Sequence, residues 1–86
     1  MANDKAGGSK TTFVVVTYVA GARGALKVAD QIPCHSEQNA TARAEKIMAL
    51  GRVLGVDVVK QVADAEAGDY GEPEYLQRLG RVPDLG

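Results

Sequence analysis

The chain has few of the large side chains on which small proteins usually build a core. Its 86 residues include no Trp, one Phe and three Tyr, whereas thirteen are Ala and eleven are Val. Aromatic side chains dominate core energetics, and a domain of this length is near the lower limit for folding alone. We therefore expect a small domain that gains stability by association with itself or with a partner.

Cysteine and histidine are also scarce. Cys34 is the only cysteine, so no disulfide can form within the chain, which is typical of a reducing cytoplasm. Its neighbour His35 should point to the opposite face of a strand, which prevents a thiolate–imidazole pair. One Cys and one His are too few for a structural zinc site in one chain. We expect Cys34 to be a packed, unreactive residue and predict no catalytic residue, cofactor or metal.

Long apolar runs are missing as well. No uninterrupted run exceeds four residues, as in Phe13 to Val16, which is far shorter than a membrane span. The start, MANDKAGGSKTT, has no apolar stretch of the kind that a signal peptide carries. The sequence therefore predicts a cytoplasmic protein with no membrane partner. Residues 1–10 are small and polar and should form a disordered tail, with a single domain over residues 11–86.

The sequence does contain clear strand signals. TTFVVVTYVA, at 11–20, is rich in the β-branched and aromatic residues that favour strands, and ALKVADQIPC, at 25–34, alternates in the same way. The glycine-bounded GARG between them predicts a hairpin. VDVVKQVA, at 56–63, and EYLQRLG, at 74–80, predict two further strands.

The second predicted strand, residues 25–34, carries two more specific predictions. Pro33 cannot donate a hydrogen bond to a neighbouring strand, so this strand should either lie at an edge of the sheet or end at Pro33. Strict alternation would place four of its residues on one face: Leu26, Val28, Ile32 and Cys34.

One helix is predicted between the two pairs of strands. Ser36 is a good N-cap and Glu37 suits the first turn, while Gly51 or Gly55 could supply the left-handed C-cap. Apolar residues follow helical spacing on one face: Ala40, Ala44, Ile47, Met48, Gly51 and Leu54. The resulting order, ββαββ, predicts an α+β fold with a small, mainly antiparallel sheet and one helix packed on one face.

Three segments carry a resemblance. FVVVTYV, GDYGEP and LGRVPDL resemble those of a group of short, uncharacterised bacterial proteins, and the likeness covers residues 12–85. These proteins share the order strand, strand, a helix that begins with C-x-S, strand, GDY loop and strand. The resemblance implies the same fold and carries no activity for this chain.

The first predicted strand is apolar on both faces. Phe13, Val15 and Val19 share one face, and the other presents three residues: Val14, Val16 and Tyr18. A half-solvated strand would alternate with polar residues, and one helix can cover only one face of a small sheet. We therefore predict a homodimer through the uncovered face. The sequence leaves open which face the helix covers, and we name Val14, Val16 and Tyr18 as the contact residues.

The acidic stretch GDYGEPEY invites a comparison with a calcium loop, because carboxylates are preferred calcium ligands. The spacing does not fit: when Asp64 is aligned with position 1 of a calcium loop, Asp69 occupies the position of the invariant glycine. Gly68, Gly71 and Pro73 favour a hairpin connection over residues 64–72. As an alternative, the loop could contact another protein through Asp69, Tyr70 and Glu72.

The helix also carries basic residues, namely Arg43 and Lys46, with Arg52 beyond it. Nucleic-acid binding usually needs more positive charge and exposed aromatic residues, so we expect no nucleic-acid partner. The sequence thus favours a small non-enzymatic protein-binding module, or an accessory or regulatory factor. A nucleic-acid-binding module that uses these three residues is the alternative.

Overall fold

The computed structural model describes residues 9–64, 69–70 and 72–84, which form one antiparallel sheet, one α-helix and a short 3₁₀ helix (Ala22–Gly24). The predicted α+β fold, with a hairpin on each side of a helix, is confirmed. Helix α1 (Glu37–Leu50) lies between two groups of strands in the chain: β1 (Ser9–Ala20) and β2 (Leu26–Cys34) before it, and β3 (Gly55–Asp64), β4 (Asp69–Tyr70) and β5 (Glu74–Gly80) after it.

The two longest strands form the middle of the sheet. β1 pairs with β2 on one side and with β3 on the other, and β3 then pairs with both β4 and β5 along its outer edge. Of the two alternatives predicted from Pro33, the edge position is the correct one: β2 ends the strand order, and it continues past Pro33 to Cys34.

β1 begins earlier than the sequence indicated. Ser9 and Lys10, which belong to the predicted disordered tail, are the first residues of β1 and lie opposite Asp64 and Ala63 of β3. The long partner strand explains the extension, because β3 continues far enough to pair with them. The rest of the predicted tail, residues 1–8, lies outside the described residues.

The connection after β3 also differs from the predicted turn over residues 64–72. Asp64 still belongs to β3, and Asp69–Tyr70 forms the short strand β4 opposite Asp64 and Ala63. Backbone pairing therefore continues into the segment of the predicted turn. Residues 65–68 and 71 lie outside the described residues.

Both predicted caps of α1 are confirmed. The Ser36 side chain accepts a hydrogen bond from the backbone N–H of Asn39 at 3.1 Å, and Gly51 is left-handed, with φ of 72°. Gly55 is not a cap. It opens β3 opposite Gly80, where a Cβ atom would overlap the carbonyl oxygen of Arg81. In the described part of the chain, no helix is long and apolar enough to cross a membrane.

The core lies between α1 and one face of the sheet. Fully buried small side chains form its centre: Val15, Ala40, Ala44, Val56 and Val58. Larger residues, among them Phe13, Ile47 and Met48, pack around them. Small residues on the inner side of α1 let the helix approach the valine-rich strands closely, which explains how a chain with so few aromatic residues builds a core.

The prediction that β2 keeps four apolar residues on one face is wrong. Ile32 and Cys34 lie opposite Val15 and Phe13, on the helix side, whereas Leu26 and Val28 lie opposite Ala20 and Tyr18, on the other side. An irregularity in the pairing inserts one residue between the two halves of β2, and a bulge of this kind reverses the faces that follow it. There the Thr17 hydroxyl accepts a hydrogen bond from the Asp30 N–H at 3.0 Å.

Candidate interaction surface

The sheet face that α1 leaves uncovered, called the open face here, is the first candidate surface. It is built from side chains that alternate with the core residues along each strand, and a shallow groove on it is lined by Val14, Val16, Tyr18, Val28, Gln31, Val59, Gln61, Pro73 and Tyr75. The set includes the three residues of β1 named from the sequence. Strand alternation is what brings them together, because residues opposite each other on paired strands share a face.

The open face is mostly apolar, with Gln31 and Gln61 as its polar lining residues, and it is partly exposed. Val28 is 45% exposed and Tyr75 is 37% exposed, while Val14 and Val16 are half-buried. Tyr18, in contrast, is only 7% exposed. Val14, Val16, Val28 and Tyr75 thus form the accessible part of the face, whereas Tyr18 and Val59 are buried in it.

A buried acid lies under the open face. Asp57 of β3 is fully buried and lies opposite Val16 on β1 and Arg78 on β5. The Tyr18 hydroxyl donates to Asp57 Oδ2 at 2.8 Å. Arg78 Nε donates to Oδ1 at 2.7 Å, and Arg78 Nη2 donates to Oδ2 at 3.0 Å. Both carboxylate oxygens are therefore hydrogen-bonded, which a buried charge requires.

Arg78 joins this cluster to the segment that follows β5. Its Nη2 also donates to the carbonyl oxygen of Pro83 at 2.7 Å, and its guanidinium carbon lies 4.9 Å from the centre of the Tyr75 ring. Its side chain is 25% exposed. The cation and the anion neutralise each other within the chain, so this part of the open face carries no net charge.

The cluster shifts the acid–base behaviour of two of its members. Burial, the hydrogen bond to Asp57 and the negative charge of Asp57 raise the pKa of Tyr18 to about 12. The hydrogen bond to Asp57 raises the pKa of Arg78 above its ordinary value. At neutral pH the Tyr18 hydroxyl is therefore a protonated donor and Arg78 is a permanent cation.

Sequence reasoning missed Asp57, Arg78 and Tyr75 as parts of this surface. The signal was a single acid within VDVV, an otherwise apolar strand segment. A carboxylate at such a position is buried only if a partner compensates its charge. A search for a basic residue in the neighbouring predicted strand would have found Arg78.

The acidic loop gives less information. The structure describes only the backbone of Asp69 and Tyr70, in β4, and the side chain of Glu72 is exposed. Among the described residues, no group of three or more His, Cys, Asp or Glu side chains is placed to hold a metal ion. The contact role suggested for these three residues stays a prediction.

The three basic residues named from the sequence do not all line one groove. Arg43 and Lys46 are exposed on the side of α1 that faces β2, and both line a groove between these two elements. Arg52, also exposed, follows the C-cap and does not line that groove. The acids of α1, Glu37 and Glu45, line a neighbouring groove, which shares Ala42 with this one.

Cys34 is half-buried and packs against the core, and its Sγ lies 3.6 Å from the carbonyl oxygen of Ile32. His35 is exposed. These positions agree with the expectation of a packing cysteine beside a solvent-facing histidine.

Comparison with protein-family models, with curated proteins and with solved structures gives no match for this chain.

Proposed function

We propose that this chain is a small non-enzymatic protein-binding module whose contact surface is the open face, and that a second copy of the chain occupies it. The observation that carries the proposal is an apolar sheet face whose buried charges are already paired within the chain. The fully buried Asp57 has its partners in Tyr18 and Arg78, so it needs none from another molecule.

Charge favours a second copy as the occupant. In a twofold dimer the same patch meets itself, so any unpaired charge near the axis would lie close to the identical charge of the other copy and be repelled by it. The ion pair of Asp57 and Arg78 removes this obstacle, and Val14, Val16 and Val28 then meet apolar counterparts. Aliphatic side chains that leave water contribute about 25 cal/mol for each Å² buried.

The area of the open face sets the expected affinity of the dimer. Strands stand about 4.8 Å apart and each residue adds about 3.3 Å, so a patch seven residues long and four strands wide measures roughly 400 Å². Each partner in a standard interface contributes about 800 Å². We therefore expect a dimer that dissociates on dilution.

The hydrogen-bond pattern supports a non-enzymatic role. Tyr18 uses its proton on Asp57, and both oxygens of Asp57 already accept hydrogen bonds. A general acid or base must be free to exchange a proton with a substrate, so this cluster suits a structural task. We place the protein in the cytoplasm, where a chain with one cysteine needs no disulfide.

Light scattering behind gel filtration tests the proposal. From about 1 to about 100 µM, the mass should rise from that of one chain, 9.0 kDa, toward twice that value. Val28→Asp places a charge on the open face and should keep the chain monomeric. Leu50→Asp is the matched control, because Leu50 is 64% exposed and lies in the helix layer.

A constant mass of one chain over the whole range would contradict the proposal. So would an equal effect of the two substitutions, because the contact would then not be specific to the open face. Circular dichroism of each variant verifies that the fold is intact.

A further inference from the structure

A second apolar surface lies between α1 and the edge strand β2. Ile32 from β2 and Ile47 and Leu50 from α1 line it, with Arg43 and Lys46 beside them. Leu50 is the most exposed large hydrophobic residue in the described part of the chain, at 64%. We call this surface the helix–edge groove.

The helix–edge groove is positively charged, and among the described residues its cations are unpaired. In the described part of the chain, neither Arg43 nor Lys46 forms an ion pair, and no acid is among the residues that line the groove. The acids of the helix, Glu37 and Glu45, line a separate groove that meets this one at Ala42. Aliphatic side chains and two unpaired cations are thus presented together.

We propose that the helix–edge groove binds a short acidic amphipathic helix of a different protein. The aliphatic side chains of such a helix would cover Ile32, Ile47 and Leu50, and its carboxylates would pair with Arg43 and Lys46. Charge complementarity of this kind steers association and selects the partner. A second copy does not fit, because a twofold contact would bring the same cations together.

The helix–edge groove also sets the length of its partner. The lining residues of α1 run from Asn39 to Leu50, which at 1.5 Å per residue is about 16 Å, or about three helical turns. A partner helix of this length presents aliphatic anchors at positions i, i+3 or i+4, and i+7, which is the usual pattern for a helix in a groove.

Nucleic acid fits the groove less well than an acidic helix does. The lining residues include no aromatic side chain on which a base could stack. Two cations neutralise few phosphates, and Arg52, the third basic residue of this region, lies outside the groove. The aliphatic floor would have no counterpart on a nucleic-acid backbone.

Selection from a displayed library of random peptides for binding to the full chain tests the proposal. Each peptide is about sixteen residues long, which allows more than three helical turns. The peptides that the wild type enriches should be acidic and should carry aliphatic residues at helical spacing. One enriched peptide, labelled with a fluorophore, then serves as the probe in fluorescence polarisation. Its affinity should fall about tenfold or more in the double variant Arg43→Ser/Lys46→Ser and in Leu50→Asp.

Two controls separate this groove from the open face. Glu37→Ser/Glu45→Ser, in the neighbouring groove, should leave the affinity unchanged or raise it slightly. Val28→Asp should leave the affinity unchanged while it splits the dimer, so the two proposals fail or hold independently.

Three results would overturn the proposal: no enriched peptide, enriched peptides without acids, or binding that survives the double variant Arg43→Ser/Lys46→Ser. A labelled single-stranded RNA or DNA of about twenty nucleotides forms the last arm. Tight binding of this oligonucleotide, lost in the same double variant, would assign the groove to nucleic acid and reject the peptide.

Discussion

The open face and the helix–edge groove both present apolar side chains and are both partly exposed, yet they differ in whether their charges are paired. Under the open face, Asp57 is fully buried and its charge is neutralised by Arg78 of the same chain. Along the groove, Arg43 and Lys46 are exposed and, among the described residues, have no ion-pair partner. A surface that is neutral by itself suits a second copy, and a surface with unpaired charge suits a partner of the opposite sign.

Asp57→Ala should give the largest effect, because it removes the acid and leaves Arg78 partly buried without its counter-ion. Breaking a buried ion pair on one side costs about 3–5 kcal/mol, a large share of the roughly 4–13 kcal/mol expected for a chain of this length. Urea unfolding should measure this loss, with Asp30→Ala as the control, since Asp30 is an exposed acid on a strand. A loss below about 1 kcal/mol would show that the cluster is not important for stability.

Tyr18→Phe should have the next largest effect. It removes the hydroxyl that donates to Asp57 at 2.8 Å and keeps the ring in place, so about 1.5–3 kcal/mol of unfolding free energy should be lost. Because the substitution adds no charge to the open face, the dimer should persist in light scattering. Loss of the dimer in a folded Tyr18→Phe chain would show that the hydroxyl itself takes part in the contact.

The same hydroxyl predicts a pH dependence. The pKa of Tyr18 is raised to about 12 in the folded chain, from 10.0, so the folded state keeps its proton where the unfolded state loses it. The stabilisation is therefore complete below pH 10 and is lost as the pH rises toward 12. Urea unfolding at several pH values should show this decline in the wild type and a smaller one in Tyr18→Phe. Equal slopes in both chains would contradict the assignment.

Arg43→Met should have the smallest effect on stability. Arg43 is exposed and has no ion-pair partner among the described residues, so the free energy of unfolding should change by no more than about 0.5 kcal/mol. The same change at Arg78, Arg78→Met, should cost about 3–5 kcal/mol, as Asp57→Ala does, because it leaves the fully buried Asp57 without its cation. Similar losses for the two substitutions would remove the contrast between the two surfaces.

The features that the sequence predicted correctly are those with local causes. The helix bounds follow from Ser36 and Gly51, whose cap geometries depend on residues within one turn. The edge position of β2, one of the two predicted alternatives, follows from the missing N–H of Pro33. In each case the physical reason is contained in a few neighbouring residues, so no knowledge of the rest of the chain was needed.

The features that were missed depend on contacts between distant segments. The bulge in β2 appears only when the strand is aligned with β1, so alternation alone assigned Leu26 and Val28 to the wrong face. The burial of Asp57 depends on Tyr18 and Arg78, which reach it from two other strands. Single-strand patterns hold no information about such partners, although the isolated acid in VDVV indicated that one was required.

The central claim, that a second copy covers the open face, is tested most directly by isotope-filtered nuclear magnetic resonance. Labelled and unlabelled chains are mixed, and nuclear Overhauser effects between the two kinds of chain are recorded. We expect intermolecular effects from the methyl groups of Val14, Val16 and Val28 and from the ring of Tyr75. Intermolecular effects that instead involve Leu50, or none at concentrations where the mass is doubled, would contradict the account.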